Sequence, residues 1–319
     1  MPESTGQDVP HEKYQRLIKA AQALPAVKVA IAHPCDDVSL QSAVEAARLR
    51  LIEPILVGPI ERIQSVARTA GLEIGAMDLV PSEHSHDSAA QAVGLVTAGR
   101  AEALMKGSLH TDELMGAVVA RDAGIRTARR ISHCFVMDVP RHPNALIITD
   151  AAVNIVPTLD DKVDIVQNAI DLAHAMGVTD VRVALLSAVE TVTAKVPSTI
   201  EAAALCKMAD RGQITGGVLD GPLAFDNAID VEAARIKGIK SEVAGRAQIL
   251  LVPDLEAGNM LAKNLAYFAK ADSAGLVLGA RVPVVLTSRA DTARARMASC
   301  AVAALYANAR RQHAPNVAA

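Results

Sequence analysis

Four short segments of the sequence combine small residues with polar or charged side chains, and each follows a predicted strand. The best-defined chemistry is that of Ser288 and Arg289, which are adjacent. An arginine guanidinium binds a phosphate group through two parallel hydrogen bonds, and a serine hydroxyl can donate a hydrogen bond to a developing oxyanion. The residues of the four segments are Lys106, Gly107 and Ser108; Asp220, Gly221 and Pro222; Pro253, Asp254 and Gly258; and Thr287, Ser288 and Arg289. Because ligands usually bind at the carboxyl ends of parallel strands, these segments predict one shared cleft.

Each segment taken alone also fits ordinary strand-to-helix turn chemistry, in which Asp, Ser and Thr cap helices and Gly adopts special backbone angles. In that interpretation Ser288 caps a helix and Arg289 forms a surface salt bridge. Lys106 extends its charged end to solvent, and Ser108 is a turn residue. Only the combination of segments distinguishes a site from a series of turns.

The composition argues against several classes of function. The 319 residues carry 32 basic and 35 acidic side chains, a formal net charge of -3, which gives no general attraction to nucleic acid or anionic membranes. Apolar runs are too short to cross a membrane, and the polar N-terminal segment lacks the apolar region of a secretory signal. We therefore expect a cytoplasmic protein that binds neither nucleic acid nor membrane.

Residues that commonly bind metals or nucleotides do not form a recognisable motif. The four cysteines lie far apart without a Cys-x-x-Cys pair, so we expect free thiols and no zinc site. His84, His86 and Asp87 lack a matching distant cluster, and no metal is predicted there. The sequence also lacks a P-loop, a G-x-G-x-x-G loop after a strand and a G-x-S-x-G elbow. Ordinary kinases, dinucleotide enzymes and hydrolases are therefore disfavoured.

Short β-branched strands alternate with helical segments along most of the chain, beginning with a strand at Val27 to Ala32 and a helix at Ser39 to Leu51. Later predicted elements include a strand at Ile214 to Leu219, a helix near Ala228 to Lys237 and a last helix that starts near Ala290. This alternation predicts a mostly parallel sheet with helices on both faces. Two strand-like runs, His133 to Val139 and Ala145 to Thr149, interrupt it and predict a hairpin. A second α/β unit then begins at Asp150.

The chain is longer than a single hydrophobic core usually spans, so two domains are expected. Since the sequence contains no flexible linker, strands that cross between the domains are expected to join them. We predict a first α/β domain formed by residues 1–148 and 284–319 and a second formed by residues 149–283. The binding cleft is predicted along the seam between them.

Seven segments together resemble those of the phosphate acetyl/butyryl transferases. They run in the order of that family from about Ala103 to the C-terminus, and their combination is specific although each alone is weak. The segments are MKG (Met105 to Gly107), TDAAVNIVP (Thr149 to Pro157), LSAVE (Leu186 to Glu190), GPLAFD (Gly221 to Asp226), VAG (Val243 to Gly245), VPDLEAGN (Val252 to Asn259) and PVVLTSRAD (Pro283 to Asp291).

The resemblance implies a fold like that of isocitrate and isopropylmalate dehydrogenases, with two α/β/α domains, a cleft between them and usually a homodimer. It implies an enzyme that converts acyl-CoA and phosphate to acyl phosphate and CoA by direct attack. No acyl-enzyme, metal or bound cofactor is expected, and the coenzyme A thioester is a substrate. Ser288 and Arg289 match the Ser-Arg pair that the family places at the reacting centre.

The base that takes the CoA thiol proton is less clearly assigned by the resemblance. Acetyl-specific members carry an aspartate about two turns after the Ser-Arg pair, whereas residues 294–296 here are Arg, Ala and Arg. Asp291 and Asp226 are the predicted substitutes and complete the catalytic set, although Asp291 also suits the first turn of a helix. Substrate-binding roles are predicted for Lys106, Gly107, Ser108, Gly221, Pro222, Asp254, Gly258 and Asn259.

Two other functions stay open. A metal- and NAD-dependent decarboxylating dehydrogenase would share the expected fold, but Asp220, Asp226 and Asp230 do not form a convincing cation triad. A non-catalytic CoA-binding module is mildly disfavoured by the presence of Ser288 and Arg289. Within the family, phosphate acetyltransferase is the leading function, and phosphate butyryltransferase is second because the TSRAD form resembles the butyryl-type branch.

Overall fold

The computed structural model describes residues 12–123, 125–140, 142–286 and 291–313. Within these ranges the chain forms one mixed β-sheet with helices packed on both faces. The strands are β1 (Val27–Ala32), β2 (Ile52–Gly58), β3 (Asp78–Pro81), β4 (Ala103–Lys106), β5 (Ser132–Asp138), β6 (Leu146–Thr149), β7 (Arg182–Leu186), β8 (Val218–Leu223), β9 (Ile249–Leu251), β10 (Asp272–Leu278) and β11 (Val284–Val285). The helices are α1 (Glu12–Gln22), α2 (Asp37–Arg48), α3 (Ile60–Ala70), α4 (Ser85–Thr97), α5 (Thr111–Val119), α6 (Leu159–Ala175), α7 (Pro197–Asp210), α8 (Phe225–Ile229), α9 (Val231–Ile236), α10 (Leu255–Tyr267) and α11 (Ala293–His313).

The strand order across the sheet is β3-β2-β1-β4-β11-β10-β5-β6-β9-β7-β8. Of the ten pairings between these strands, seven are parallel and three are antiparallel: β11 with β10, β10 with β5, and β5 with β6. The mostly parallel sheet and the hairpin of β5 and β6 are therefore confirmed. Because three antiparallel pairings separate β11 from β6, strands β6 to β9 run opposite to β1, β2, β3, β4 and β11.

The two faces of the sheet are packed differently. On one face a single apolar cluster extends through both halves of the chain and includes Ile31 of β1 and Val183 of β7. On the other face the apolar side chains form two separate clusters, one containing Leu104 of β4 and the other Leu250 of β9. Side chains alternate between faces along a strand. The two clusters divide at β10 and β5, in the middle of the sheet.

Several elements differ from the sequence-based expectation. The predicted helix over residues 228–237 is two helices, because Asp230 has an extended φ of -122° and its side chain caps α9. The strand expected from Ile214 begins at Val218. Helix α1 and strand β3 lie in segments for which no element was predicted. None of the helices in the described ranges is long and apolar enough to cross a membrane.

Candidate active site

The loop after β4 is held against the end of β1 by backbone contacts. A Cβ atom at Gly107 would lie 2.4 Å from the carbonyl oxygen of Ala32 and 2.6 Å from that of His33, so only glycine fits. The Gly107 amide donates to the Ala32 carbonyl oxygen at 2.9 Å. Ser108 Oγ donates to the His33 carbonyl oxygen at 2.8 Å. Gly107 and Ser108 therefore fix the shape of this loop.

Lys106 places a positive charge where β4 ends. Its Nζ donates to the carbonyl oxygens of Gly107 at 3.3 Å and Leu109 at 3.2 Å. Strand β11 pairs with β4 up to Val285, which lies opposite Met105. The chain therefore leaves β11 beside Lys106.

The predicted Ser-Arg pair follows β11 in the sequence. Ser288 and Arg289 belong to residues 287–290, which lie outside the described residues. The described chain stops at Leu286 and resumes at Asp291. The structure thus describes the neighbours of the pair on both sides.

Asp291 lies two residues before the start of α11. Its carbonyl oxygen accepts a hydrogen bond from Arg296 Nη1. Thr292 Oγ1 accepts a hydrogen bond from the Ala295 amide at 3.1 Å and so caps the helix. Helix α11 begins at Ala293, three residues later than predicted. Asp291 lies near the positively polarised end of this helix.

A buried carboxylate organises the loop after β6. Asp150 is 2% exposed. Its Oδ1 accepts hydrogen bonds from the amides of Ala152 at 2.9 Å and Val153 at 3.0 Å. Its Oδ2 accepts from the Asn154 amide at 3.2 Å and from Asn154 Nδ2 at 2.6 Å. Four N–H donors satisfy a carboxylate that is shielded from water, so the loop is held in one shape.

The start of α10 packs on this loop. A Cβ atom at Gly258 would lie 2.9 Å from the carbonyl oxygen of Asp150. Asn259 Nδ2 donates to the carbonyl oxygen of Ala151 at 3.2 Å. Asp254 caps α10 by accepting a hydrogen bond from the amide three residues later at 2.9 Å. These three predicted substrate-binding residues therefore lie together.

The loop after β6 also contacts the first half of the sheet. Val153 packs against the apolar cluster that contains Leu104. Asn154 Nδ2 donates to the carbonyl oxygen of Ile131 at 2.9 Å. The TDAAVNIVP segment thus connects the two halves of the molecule.

Gly221 and Pro222 lie within β8, not after the strand as predicted, because the strand continues to Leu223. Asp226 lies in α8 at the same edge of the sheet, and five strands separate β8 from β11. A Cβ atom at Gly221 would lie 2.7 Å from a backbone carbonyl oxygen of β7, so glycine permits this pairing. The Asp226 carboxylate lies 3.8 Å from Lys237 Nζ. Lys237 donates to Glu190 Oε1 at 2.6 Å, and this hydrogen bond holds the pKa of Glu190 below its usual value.

The reversal of strand direction divides the predicted loops. The carboxyl ends of β4 and β11 point one way, so the loops after them lie on one side of the molecule. The carboxyl ends of β6, β8 and β9 point the opposite way, and the loops after these strands lie on the other side. The sequence-based argument from the ends of parallel strands did not include this reversal. The predicted residues that are described fall into three groups: Lys106, Gly107, Ser108 and Asp291; Asp254, Gly258 and Asn259; and Gly221, Pro222 and Asp226.

His133 of β5 was not predicted as a site residue, yet it lies in the middle of the sheet. It is 3% exposed, and its Nδ1 has no hydrogen-bond partner in the described part of the chain. Burial lowers the pKa of His133 to about 4, although the Asp150 carboxylate acts in the opposite direction. The ring packs edge-on against Phe135 at 4.3 Å between centroids. The available sequence signal was Gly275, since a glycine inside a strand often marks a close approach.

The cysteine thiols are not activated. All four are free, as predicted. Burial raises the pKa of the Cys134 and Cys300 thiols to about 12 and that of Cys35 to about 11. A thiolate nucleophile at neutral pH is therefore disfavoured at these positions. In the described ranges, no three His, Cys, Asp or Glu side chains are grouped so that they could bind a metal ion.

A family model, sequence relatives and a solved structure indicate one family. A family model described as Phosphate acetyl/butaryl transferase matches residues 80–304. The chain is 68% identical over 300 residues to a phosphate acetyltransferase from Rhizobium meliloti, covering 94% of this chain and 95% of that protein. It is 40% identical over 296 residues to a phosphate butyryltransferase from Clostridium beijerinckii, covering 93% and 98%. A solved branched-chain phosphotransacylase from Enterococcus faecalis V583 superposes with a TM-score of 0.78 at 29% identity, covering 88% of this chain and 99% of that one.

Proposed function

The chain belongs to the phosphate acetyl/butyryl transferase family, and we propose that Ser288 and Arg289 form its reacting centre. The protein is an acyltransferase that interconverts acyl-CoA plus phosphate and acyl phosphate plus CoA, with phosphate acetyltransferase as the leading activity. The observation that carries the acetyl assignment is the similarity to a phosphate acetyltransferase over nearly the whole of both chains.

In the proposed transfer, a phosphate oxygen attacks the thioester carbonyl carbon, a tetrahedral oxyanion forms, and the CoA thiolate departs. Arg289 holds the phosphate dianion through its fork of N–H donors. Ser288 donates a hydrogen bond to the oxyanion or to the leaving thiolate. Lys106, beside the end of β11, supplies a further positive charge for anionic substrates. The N-terminal end of α11 adds a positive electrostatic potential.

In the reverse direction a base must take the CoA thiol proton. Asp291 is the first proposed base because it follows Arg289 by two residues. Asp226 is the alternative, and its carboxylate lies 3.8 Å from Lys237 Nζ. Substituting each carboxylate in turn shows which of the two acts as the base.

The other predicted residues are proposed to bind substrate partly through the backbone that they shape. Lys106 would attract the acyl phosphate or the CoA pyrophosphate. The remaining members of this set are Gly107, Ser108, Gly221, Pro222, Asp254, Gly258 and Asn259. Coenzyme A enters this reaction as a substrate, together with phosphate and acyl phosphate, and the proposed chemistry requires neither a metal nor a bound cofactor.

The proposed architecture is that of the isocitrate and isopropylmalate dehydrogenases, with two α/β/α domains around a cleft. The domains would be residues 1–148 with 284–319 and residues 149–283. The two separate apolar clusters on one face support two units, although Met137, Leu146 and Ile148 pack with the second unit and Val277 and Ala280 with the first. The continuous cluster on the other face would couple the domains.

A cytoplasmic homodimer is the proposed state of the protein. Ile155, Val156 and Met260 are 71%, 80% and 60% exposed. The amide of Leu255 at the start of α10 donates to the Ile155 carbonyl oxygen at 3.1 Å, so the loop and the helix adjoin. Exposed apolar groups of this kind often mark a contact with another chain. Light scattering after gel filtration tests this, and Val156→Asp with Met260→Asp should yield monomers if this surface is the contact.

Phosphate butyryltransferase is the second candidate, supported by the match to a relative of that name. The deciding experiment measures release of free CoA from acetyl-, propionyl- and butyryl-CoA with a thiol reagent, in the presence and absence of phosphate or arsenate. Release that requires phosphate or arsenate supports acyl transfer and ranks the chains. Folded protein that binds CoA without turnover supports a binding module, and a metal-dependent reduction of NAD by a hydroxy acid supports the dehydrogenase.

A further inference from the structure

Gly275, a buried glycine in the middle of β10, lies on the face where the two apolar clusters separate, beside the ring of His133. A Cβ atom at this position would lie 3.0 Å from His133 Nε2 and 3.4 Å from His133 Cε1. The next nearest atom is the carbonyl oxygen of Leu286, at 3.7 Å. Gly275 is therefore bordered by the edge of an imidazole ring and by the end of β11.

The hydrogen bonds around His133 indicate which ring nitrogen carries the proton. Nδ1 is buried and has no partner in the described part of the chain. A buried N–H without an acceptor is rarer than a buried acceptor without a donor. The tautomer with the proton on Nε2 is therefore favoured, and it places the N–H at the edge of the ring next to Gly275. Burial keeps this ring neutral, with its pKa lowered to about 4.

The neighbouring carboxylate does not compete for this N–H. Asp150 lies beside His133 because Cys134 pairs with Thr149 in the register of β5 and β6. Both Asp150 oxygens accept hydrogen bonds from Ala152, Val153 and Asn154. The Nε2 donor thus remains available for a group that approaches over Gly275.

We propose that His133 Nε2–H donates a hydrogen bond to the carbonyl oxygen of the acyl thioester, with Gly275 keeping the approach open. This role rests on the proposed acyl transfer. As the phosphate oxygen bonds to the carbonyl carbon, the C=O electron pair moves onto the oxygen that accepts this hydrogen bond. When the C=O bond re-forms, the C–S bond breaks and its electrons leave with the CoA thiolate. His133 keeps its proton throughout and acts as a donor rather than as a base.

A neutral imidazole in this position is suited to oxyanion stabilisation. A donor that is fixed in a site shielded from water stabilises developing charge more than the same donor in solvent. The ring is fixed by Phe135, which packs edge-on against it. His133→Ala should therefore lower kcat with acetyl-CoA by roughly 10²-fold, the usual effect of removing one oxyanion donor. The KM for phosphate should change little, because His133 does not bind phosphate in this proposal.

Three further variants separate a donor role from a structural role. His133→Asn retains an N–H donor and should recover part of the lost kcat. Gly275→Ala places a methyl group 3.0 Å from Nε2 and should lower kcat, with a larger loss for butyryl-CoA than for acetyl-CoA. His142→Asn is the matched histidine control, since His142 lies in the β5–β6 turn and contacts the Asn144 carbonyl oxygen; its kcat should equal that of the wild type.

The outcomes separate this inference from the proposed function. If the wild-type protein releases no CoA in the presence of phosphate, the proposed function fails. If the wild type is active and folded His133→Ala keeps the wild-type kcat, only the role of His133 is overturned. Should His133→Ala not fold, Gly275→Ala decides: unchanged kcat with both acyl-CoAs overturns the inference. Equal loss of kcat in folded His133→Asn and His133→Ala overturns it as well.

Discussion

Gly258 in the first turn of α10 lies against the backbone of Asp150, so that a Cβ atom at position 258 would lie 2.9 Å from the Asp150 carbonyl oxygen. The same atom would lie 2.8 Å from Val252 Cγ2 and 3.0 Å from Ala151 Cα. This contact joins the TDAAVNIVP and VPDLEAGN segments, which are far apart in the sequence. The loop after β6 and the start of α10 therefore form one structural unit.

Gly258→Ala should push the start of α10 away from the loop after β6. Two of the three clashing atoms belong to the backbone and cannot turn aside, so we expect a loss of about 1–3 kcal/mol in the free energy of unfolding and a lower kcat/KM for acetyl-CoA. Urea denaturation and the CoA-release assay measure the two effects. Gly94→Ala in α4, where a Cβ atom meets nothing within 4 Å, is the control and should lose no stability, because alanine is favoured over glycine inside a helix. A wild-type urea midpoint for Gly258→Ala would contradict the close contact.

Asp150→Asn should destabilise the protein although it changes little in shape. The amide group replaces one carboxylate oxygen, so at least one buried N–H donor loses its acceptor, at a cost of about 1–3 kcal/mol. Asp171→Asn is the comparison, because Asp171 forms a partly exposed ion pair with Arg129, and such pairs contribute about 0–1 kcal/mol. Urea denaturation of both variants should give the larger loss for Asp150→Asn. Equal losses would mean that the loop after β6 does not depend on this carboxylate.

Ser288→Ala should lower turnover by roughly 10²-fold, because one hydrogen bond to the oxyanion or thiolate is lost. The assay is phosphate-dependent release of CoA from acetyl-CoA at saturating substrate. Ser288→Thr keeps the hydroxyl and should retain more activity than Ser288→Ala. Wild-type turnover in folded Ser288→Ala would remove Ser288 from the reacting centre.

The two candidate bases should differ in the direction that forms the thioester from acyl phosphate and CoA. Asp291→Asn should lower kcat by at least about 10²-fold, the usual contribution of a positioned base. Asp226→Asn should lower kcat less than Asp291→Asn, because Asp226 lies at the β8 edge of the sheet, and five strands separate β8 from β11. Its side chain is 56% exposed and 3.8 Å from Lys237. Thioester formation at several pH values measures both, and the reverse result would make Asp226 the base.

The stability of the protein should depend on the protonation of His133. Burial lowers its folded-state pKa from 6.5 to about 4, so between these values the unfolded chain binds a proton that the folded chain does not. Stability is therefore full above pH 6.5 and falls as the pH decreases toward 4, by about 3 kcal/mol in total from this residue. Urea denaturation at pH 7.5 and pH 5 should show a smaller difference in His133→Asn than in the wild type. An identical difference in both proteins would mean that another group carries the pH dependence.

Local patterns determined much of the architecture. The alternation of strands and helices predicted the mostly parallel sheet, and the proline-rich turn near Pro143 predicted the β5–β6 hairpin. These features depend on residues close in sequence, whose propensities and periodicities act locally. The elements that were misjudged had weak local signals: Asp230 looks like a helical residue until its cap on α9 is visible.

The sequence by itself also determined the family and the reaction, because seven short segments, in one order along the chain, resemble those of the phosphate acetyl/butyryl transferases. Only the tertiary structure decided which loops lie together at the same end of the strands. That arrangement depends on three antiparallel pairings around β10 and β5, which join strands distant in sequence. It also decided that His133 lies over Gly275 next to Asp150. A period of two assigns a side chain to one face of its strand, but its neighbours on that face are fixed by register, which no local pattern records.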